Sequence, residues 1–452
     1  MYYRESDKKS MKERLKRLLR LQEGEMGLVF TLGAILFINF AAMGIVKVVS
    51  VSGFLSEVSG HYILLVWAVD MALLVLMTAI QSLIIDKFKR VNLLGGLIIA
   101  IAVLYALLSM TFLWPGFPLG ISYTLLYLVT DQQWLIFPLV FWALVNDIYS
   151  PAQGRRLLPT IGSFAFVGTI FGLGVVQLDT AFSFGPVALL LFNSSIFGVA
   201  WLLLYFYVRK QKMRQSQQPR ITFSEAMSGG WDYIRSVPTF RALSIAMIAA
   251  GVTVTILLYD VLADASLEFG DNFQSFYALY SLAIAVVSVL VQFFSGKLIE
   301  RLGIRDTFAV LPGMMLFSSV LSFFVPGVWG SAPSQGVVRV ALETVDQSNR
   351  KAYQALVPDE KRGRVSLFID SYLPSFGTIL GSLIAFSVIS WGISSGTDYA
   401  VFSAINMGIA IFGSVVSLVA FFFMRAAYEK SLMSWQMKRR SRGSSVFDQL
   451  DF

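Results

Sequence analysis

The chain has 452 residues, of which 56% are hydrophobic and 14% charged, against about 25% charged in a soluble domain, so much of it must face lipid or the inside of a helix bundle. It has no cysteine and one histidine, which excludes disulfides, thiol catalysis and Cys-based or His-cluster metal sites. The net charge of +8 reports membrane topology here, and no nucleic-acid partner is expected.

Residues 1–25 are polar and mixed in charge, and they do not read as a cleavable signal peptide. Met11, Leu15, Leu18 and Leu19 share one face of a basic helix that suits an anionic leaflet; a solvated basic tail is the other reading. A membrane span needs roughly 20 mostly apolar residues. Twelve such stretches follow, at 27–49, 62–85, 92–113, 120–145, 159–178, 185–208, 241–262, 273–296, 306–325, 332–349, 366–390 and 400–424. The fourth and tenth are the least apolar. The sequence therefore predicts an all-α membrane protein. Its expected parts are a basic N-terminal segment (1–25), a six-helix bundle (26–208), a linker (209–240), a second six-helix bundle (241–424) and a basic tail (425–452).

The connections alternate in charge. After spans 1, 5, 7 and 11 come only acidic residues such as Glu57, Asp179, Asp264 and Asp398, and nothing charged follows spans 3 and 9. After the even spans come Lys87, Lys89 and Arg90; Arg155 and Arg156; Arg209 to Arg220; Lys297, Arg301 and Arg305; and Lys361, Arg362 and Arg364. The positive-inside rule then places both termini and the middle loop in the cytoplasm. The expected location is a plasma membrane of the bacterial inner-membrane kind, crossed many times.

The two halves repeat. Gly154-Arg155 and Gly168-Thr169-Ile170-Phe171-Gly172 return as Gly363-Arg364 and Gly377-Thr378-Ile379-Leu380-Gly381 at a constant offset of 209 residues. Phe112-Leu113-Trp114-Pro115-Gly116 likewise answers Phe323-Phe324-Val325-Pro326-Gly327. A parallel repeat of this size in a membrane chain suggests a transporter whose halves rock about a shared site. The paired glycines have the spacing that lets helices pack closely. Pro138 and Pro374 read as kinks, and Trp114, Trp329 and Trp391 as interfacial anchors.

Ionisable groups inside spans are costly and usually functional. Arg339, Glu343, Asp346 and Arg350 fall within a stripe of about 60° on a straight α-helix. That stripe either lines an aqueous cavity or forms an ion-pair ladder that locks span 10 to a neighbour. Lys47 stands alone in the outer half of span 1. It calls for a carboxylate, with Asp70 the candidate, or for an anionic substrate, unless it snorkels to the headgroups. Asp131 in span 4 and Asp260 in span 7 add carboxylates from each half.

The loop Gly296-Lys297-Leu298-Ile299-Glu300-Arg301-Leu302-Gly303-Ile304-Arg305 resembles the short G-x-x-x-[DE]-R-x-G-x-R loop of major facilitator transporters. Asp86-Lys87-Phe88-Lys89-Arg90 is a partial copy that lacks the glycines. This resemblance implies gating roles for Asp86, Arg90, Arg155, Glu300, Arg301, Arg364 and Asp370. It also implies that spans 1, 4, 7 and 10 bring Lys47, Asp131, Asp260 and Glu343 together, an argument from analogy.

A more specific resemblance runs through residues 27–390. Asn39-Phe40 with Met43-Gly44-Ile45-Val46-Lys47 is similar to N-Y-x-x-L-R-x-x-K of the ATP/ADP carrier (nucleotide translocase) family of plastids and intracellular bacteria. Phe141-Trp142 with Asn146-Asp147, Leu311-Pro312, and Lys351-Ala352-Tyr353 followed by Gly363-Arg364 and Asp370 match further family segments. Gly44 replaces an arginine, Ala352 a glutamate, and Thr378 stands where a lysine often follows glycine. The resemblance implies a major-facilitator-like exchanger of nucleotides, with Lys47 on phosphate and Asn146 in the site. The alternatives are a carrier of a lipid-linked or other organic anion, and a scaffold or sensor that keeps the fold without transporting. No G-x-x-x-x-G-K-[ST] loop is present, so the chain is not expected to be an ATP-hydrolysing enzyme. No cofactor or metal is expected. The expected partners are a small anionic solute and the lipid bilayer, with the chain monomeric and its tails open to cytoplasmic partners.

Overall fold

A computed structural model of the chain describes residue 22 and residues 25–84, 88–211, 237–354, 365–366 and 368–447; side chains at 81–84, 151–152, 155 and 428–447 are not described. Among the described residues every regular element is helical. In chain order they are α1 (Glu25–Glu57), α2 (Ile63–Ile84), α3 (Arg90–Leu113), α4 (Leu119–Ile148), α5 (Pro151–Phe182) and α6 (Gly185–Leu203, closed by a π turn Leu204–Val208). Then come α7 (Pro238–Phe269), α8 (Phe273–Thr307), α9 (Val310–Phe324) and α10 (Val328–Ala341, continued through a π turn Leu342–Asp346 into Gln347–Gln354). The chain ends with α11 (a π turn Phe368–Tyr372, then Leu373–Ser394) and α12 (Tyr399–Phe447). Among the described residues nine helical stretches are long and apolar enough to cross a membrane: those of α1 to α6, one continuous stretch Pro238–Thr307 that takes in α7 and α8, and those of α11 and α12; α9 is apolar but shorter.

The two halves repeat the same set of packings. In the first half α1 packs on α4, α5 and α6, and α3 packs on α4 and α6. In the second half α7 packs on α10, α11 and α12, and α9 packs on α10 and α12. Small residues at equivalent positions make the tightest of these contacts possible. A Cβ on Gly168 or Gly172 would collide with the backbone carbonyls of Phe37 and Ala41 in α1. A Cβ on Gly377 would lie 2.6 Å from the Ile248 carbonyl oxygen in α7, and one on Gly381 2.8 Å from the Val252 Cα. The duplicated glycines therefore set the same close helix pair twice.

The chain divides into two compact units. One comprises Met1–Val58, Met77–Arg220 and Asp271–Ala285; the other comprises Ser59–Leu76, Ile221–Gly270 and Val286–Phe452. The core of the first is built on α1, whose Val29, Leu32, Ile35, Ala41, Ile45 and Val48 are at most 1% exposed. In the second, Phe240, Phe308, Tyr353, Phe368, Tyr372 and Phe421 form one apolar cluster.

Local chemistry explains where several helices begin and bend. α5 starts at a capping box, where the Ser150 hydroxyl accepts from the Gln153 N–H and the Gln153 side chain accepts from the Ser150 N–H, with Pro151 first in the helix. Gly303 has φ +79° and breaks α8 just before its end, a conformation that side chains resist.

Three expectations change. α7 runs to Phe269, so Asp264, placed by sequence in an outer loop, is helical and buried. The segment Gly296 to Arg305, read as a loop, is helical up to Gly303. α12 continues to Phe447, well beyond the apolar stretch at 400–424. Residues 1–21 and the Gly229-Gly230 break lie outside the described residues.

Candidate functional site

In the first unit an ammonium meets a carboxylate and an aromatic face. Lys47 sits in α1 between Val46 and Val48, each 1% exposed. Its Nζ donates to Asp131 Oδ1 of α4 at 2.5 Å and lies 4.0 Å from the centroid of the Tyr127 ring, one turn earlier in α4. The partner is thus Asp131, where the sequence pointed to Asp70; Asp70 is fully buried in α2. Lys47 keeps 36% of its side-chain surface exposed and Asp131 18%. The ammonium is paired but not fully enclosed.

Beside this pair runs a chain of neutral polar groups. The Tyr105 hydroxyl of α3 donates to Gln133 Oε1 of α4 at 2.5 Å, and Gln133 Nε2 donates to Asn39 Oδ1 of α1 at 2.9 Å. All three residues are at most 3% exposed. Asn39 in turn donates to Met43 Sδ at 3.4 Å. The network joins three helices and satisfies amides that would be costly if left alone in an apolar bundle.

Ion pairs tie helix ends of the same unit. Arg90 at the start of α3 holds Asp147 at the end of α4 at 2.6 Å and also reaches the Ala143 carbonyl at 3.2 Å. Arg156 of α5 holds Glu25 of α1 at 2.6 Å. Asn146, beside Asp147, is exposed.

In the second unit the four charges of α10 form two pairs of unlike character. Arg339 Nε donates to Glu343 Oε1 at 2.8 Å, with 32% and 44% of the side chains exposed. Arg350 Nε lies 2.9 Å from Asp346 Oδ2, with 12% and 11% exposed, close enough for an ion pair but without hydrogen-bond geometry at that nitrogen. Glu343 and Asp346 both sit in the π turn, a distortion frequent at functional positions. The single stripe expected of a straight helix is therefore divided into an exposed and a buried pair. Asp370, in the π turn of α11, accepts from Lys351 Nζ at 2.5 Å and from Gln354 Nε2 at 2.9 Å.

Asp260 has different surroundings. It accepts from the Ser322 hydroxyl of α9 at 2.7 Å and from the Ser403 hydroxyl of α12 at 3.4 Å. One turn on, Asp264 accepts from the Tyr399 hydroxyl at 3.2 Å.

Among the sequence candidates, Lys47 and Asp131 are brought together, as are the two α10 pairs and Asp370 with Lys351. Glu300 and Arg301 are exposed on α8. Asp86 and Arg364 lie outside the described residues, as does the side chain of Arg155. Sequence reasoning passed over Tyr105, Tyr127, Ser322, Ser403, Tyr399 and Asn406. Hydroxyls and aromatics in apolar helices carry no signal in a charge census, though Ser403 and Asn406 lie on the face that Tyr399 begins. Gly44, the departure from the nucleotide-carrier pattern, has a steric reason. A Cβ there would lie 3.1 Å from the Thr169 carbonyl oxygen, so any side chain at this position crowds the α1–α5 contact.

No protein-family model matches the chain. No curated protein matches it in sequence. In structure it is similar to the nucleoside transporter NupG, at 15% identity and a TM-score of 0.64, covering 89% of this chain and 99% of that one. A bacterial homologue of the human lysosomal transporter Spinster, inward-facing and unoccupied, matches at 14% identity and a TM-score of 0.61, over 92% and 99% of the two chains. A bacterial homologue of the iron transporter ferroportin, inward-facing, matches at 13% identity and a TM-score of 0.60, over 89% and 99%. These likenesses cover nearly the whole chain and show its fold: an all-α membrane protein of twelve helices in two parallel six-helix repeats, the major facilitator fold.

Proposed function

We propose that the chain is a secondary transporter that moves an organic anion by alternating access, with nucleotide exchange of the ATP/ADP type the case to test first. The observation that carries this reading is Lys47: a reachable ammonium inside an otherwise apolar helix, resting on an aromatic ring and paired with Asp131. Such a group lets an anionic solute compete for a charge the fold already tolerates. Similarity to transporters with different cargoes supports transport in general, and the resemblance around Lys47, Asn146 and Asp370 supports nucleotides in particular. A single ammonium inside the first span suits a small number of phosphate groups better than a triphosphate cradle.

In this reading the bundles 26–208 and 241–424 are the moving halves. Lys47, Asp131 and the exposed Arg339–Glu343 pair face the solute, while Arg90, Glu300, Arg301 and Asp370 act at the gate. The basic even connections put both termini in the cytoplasm of a bacterial plasma membrane. The chain works as a monomer.

Exchange in proteoliposomes tests the proposal. Preloaded vesicles are offered labelled ATP, ADP, AMP and a panel of other organic anions. Saturable uptake of a nucleotide, abolished by Lys47→Ala, supports it. Uptake of another anion with the same dependence on Lys47 supports transport and overturns the nucleotide assignment. If no solute on the panel exchanges while the protein remains folded, the transport reading is lost.

A further inference from the structure

Asp260 and Asp264 stand one turn apart on α7, 6% and 8% exposed, in the second unit. Neutral hydroxyls surround them: Ser322 and Ser403 at Asp260, and Ser331 and Tyr399 at Asp264. Among the described residues no Lys or Arg pairs with either. Two carboxylates this close in an apolar bundle are costly unless a positive charge or a proton joins them.

A cavity about the size of one water molecule opens beside Asp260, lined also by Tyr259, Tyr399, Ser403 and Asn406. Asn406 is 4% exposed, and its Oδ1 has no hydrogen-bond partner. An amide carbonyl oxygen only accepts, so what completes it is a donor or a cation, never an anion. The cavity therefore offers a carboxylate, an orphan carbonyl oxygen and a hydroxyl from two helices. It is too small for an organic cation. Asp264 does not line it, and the described residues hold no group of three carboxylate or imidazole ligands, so it lacks the oxygen count that Ca²⁺ or Mg²⁺ demands.

We propose that this cavity is a monovalent-cation site, taking H⁺ or Na⁺, with Asp260 as the anionic ligand and Asn406 Oδ1 and the Ser403 hydroxyl as neutral ones. The titratable groups facing Asp260 are Tyr259 and Asp264 on its own helix and Tyr399 on α12. α9 and α10 bring the Ser322 and Ser331 hydroxyls, and α11 meets α7 through Gly377 and Gly381. Occupation would cancel the charge of Asp260 and relieve its repulsion with Asp264 where α7, α9 and α12 meet. As a coupling ion it rests on the transport reading; as a binding site it does not.

The test is an equilibrium measurement on the full chain in detergent with no solute present. Melting temperature is followed as Na⁺ replaces choline at constant ionic strength, at several pH values. Infrared difference spectra monitor the carbonyl stretch of a protonated carboxyl. A saturable rise with Na⁺ that Asp260→Asn erases identifies the alkali ion. A carboxyl band that titrates and vanishes in Asp260→Asn, without a response to Na⁺, identifies the proton. In choline at high pH, where the site is empty, Asp260→Asn should melt higher than the wild type, since it removes a buried charge that nothing then compensates. Should that variant fail to fold, Asn406→Ala serves: its Na⁺ midpoint, or its carboxyl titration, should weaken by about tenfold through the loss of one oxygen directed at charge. No Na⁺ response and no carboxyl band, or responses unchanged in the variants, would overturn the site and leave the transport proposal standing.

Discussion

Lys47 and Asp131 bind each other at 2.5 Å across α1 and α4, with the Tyr127 ring beneath the ammonium. Removing either member strands the other in apolar surroundings, so the two substitutions should not be additive. Breaking a fully buried pair costs about 3–5 kcal/mol; the loss here should fall below that because 36% of the Lys47 side chain stays exposed. A double-mutant cycle of Lys47→Ala and Asp131→Asn, read by thermal unfolding, should give a coupling of about 1 kcal/mol or more.

The same pair separates a structural role from a solute-binding one. Asp131→Asn releases the ammonium without moving it, so an anionic solute meets less competition. Apparent affinity for the transported anion should rise several-fold in Asp131→Asn, while Lys47→Ala abolishes uptake. Equal losses in both variants would mean that the intact ion pair, not the free ammonium, is what the solute requires.

The repeated glycines predict matched defects in the two halves. Gly172→Leu and Gly381→Leu force side-chain atoms into backbone on α1 and α7 respectively, a collision no rotamer relieves. Overpacking of even modest size costs about 1–3 kcal/mol, and a leucine against backbone should exceed that range. Both variants should lose folded yield in size-exclusion profiles. Gly174→Ala, whose added Cβ meets nothing within 4 Å, is the control and should behave as wild type.

Architecture was legible in the sequence because lipid imposes it residue by residue. Apolar runs, alternating loop charge and the 209-residue repeat all follow from length and solvent, and they read out directly as twelve helices in two related halves. The polar groups were harder to read. Charge counting found Lys47 and Asp131 but not their pairing, since partner choice depends on the rotation of α1 against α4. The α10 stripe assumed an unbroken 3.6-residue period, and the π turn at Leu342–Asp346 breaks it. Asp264 was read as wet because the apolar run ends near it; the helix continues for another turn and buries it.

Gln133 joins Tyr105 and Asn39, and its replacement should expose how much that network supports. Gln133→Leu takes the acceptor from a buried hydroxyl and the donor from a buried amide oxygen, at about 1–3 kcal/mol for each group left unsatisfied. Tyr105→Phe added to Gln133→Leu removes one orphan and should recover part of the loss. Melting temperatures should therefore rank wild type highest, the double variant next and Gln133→Leu lowest. A double variant less stable than Gln133→Leu would show that the Tyr105 hydroxyl finds another partner.

The two pairs on α10 share spacing and chemistry and differ in burial, which makes them a matched experiment. Arg350→Ala leaves Asp346 in the protein interior without its counter-charge, so it should lower thermal stability strongly, toward the about 3–5 kcal/mol of a broken buried pair. Arg339→Ala affects a pair that is a third to nearly half exposed; exposed pairs contribute about 0–1 kcal/mol, so stability should hardly move. A charged pair left exposed on a membrane helix is tolerated where it meets water instead of hydrocarbon, and the proposed function puts the solute on that side. Arg339→Ala should accordingly reduce exchange several-fold at unchanged melting temperature, whereas Arg350→Ala should reduce exchange only in proportion to the folded protein recovered. Normalising uptake to folded protein distinguishes the two. Equal normalised activity in both variants would remove the Arg339–Glu343 pair from the solute pathway.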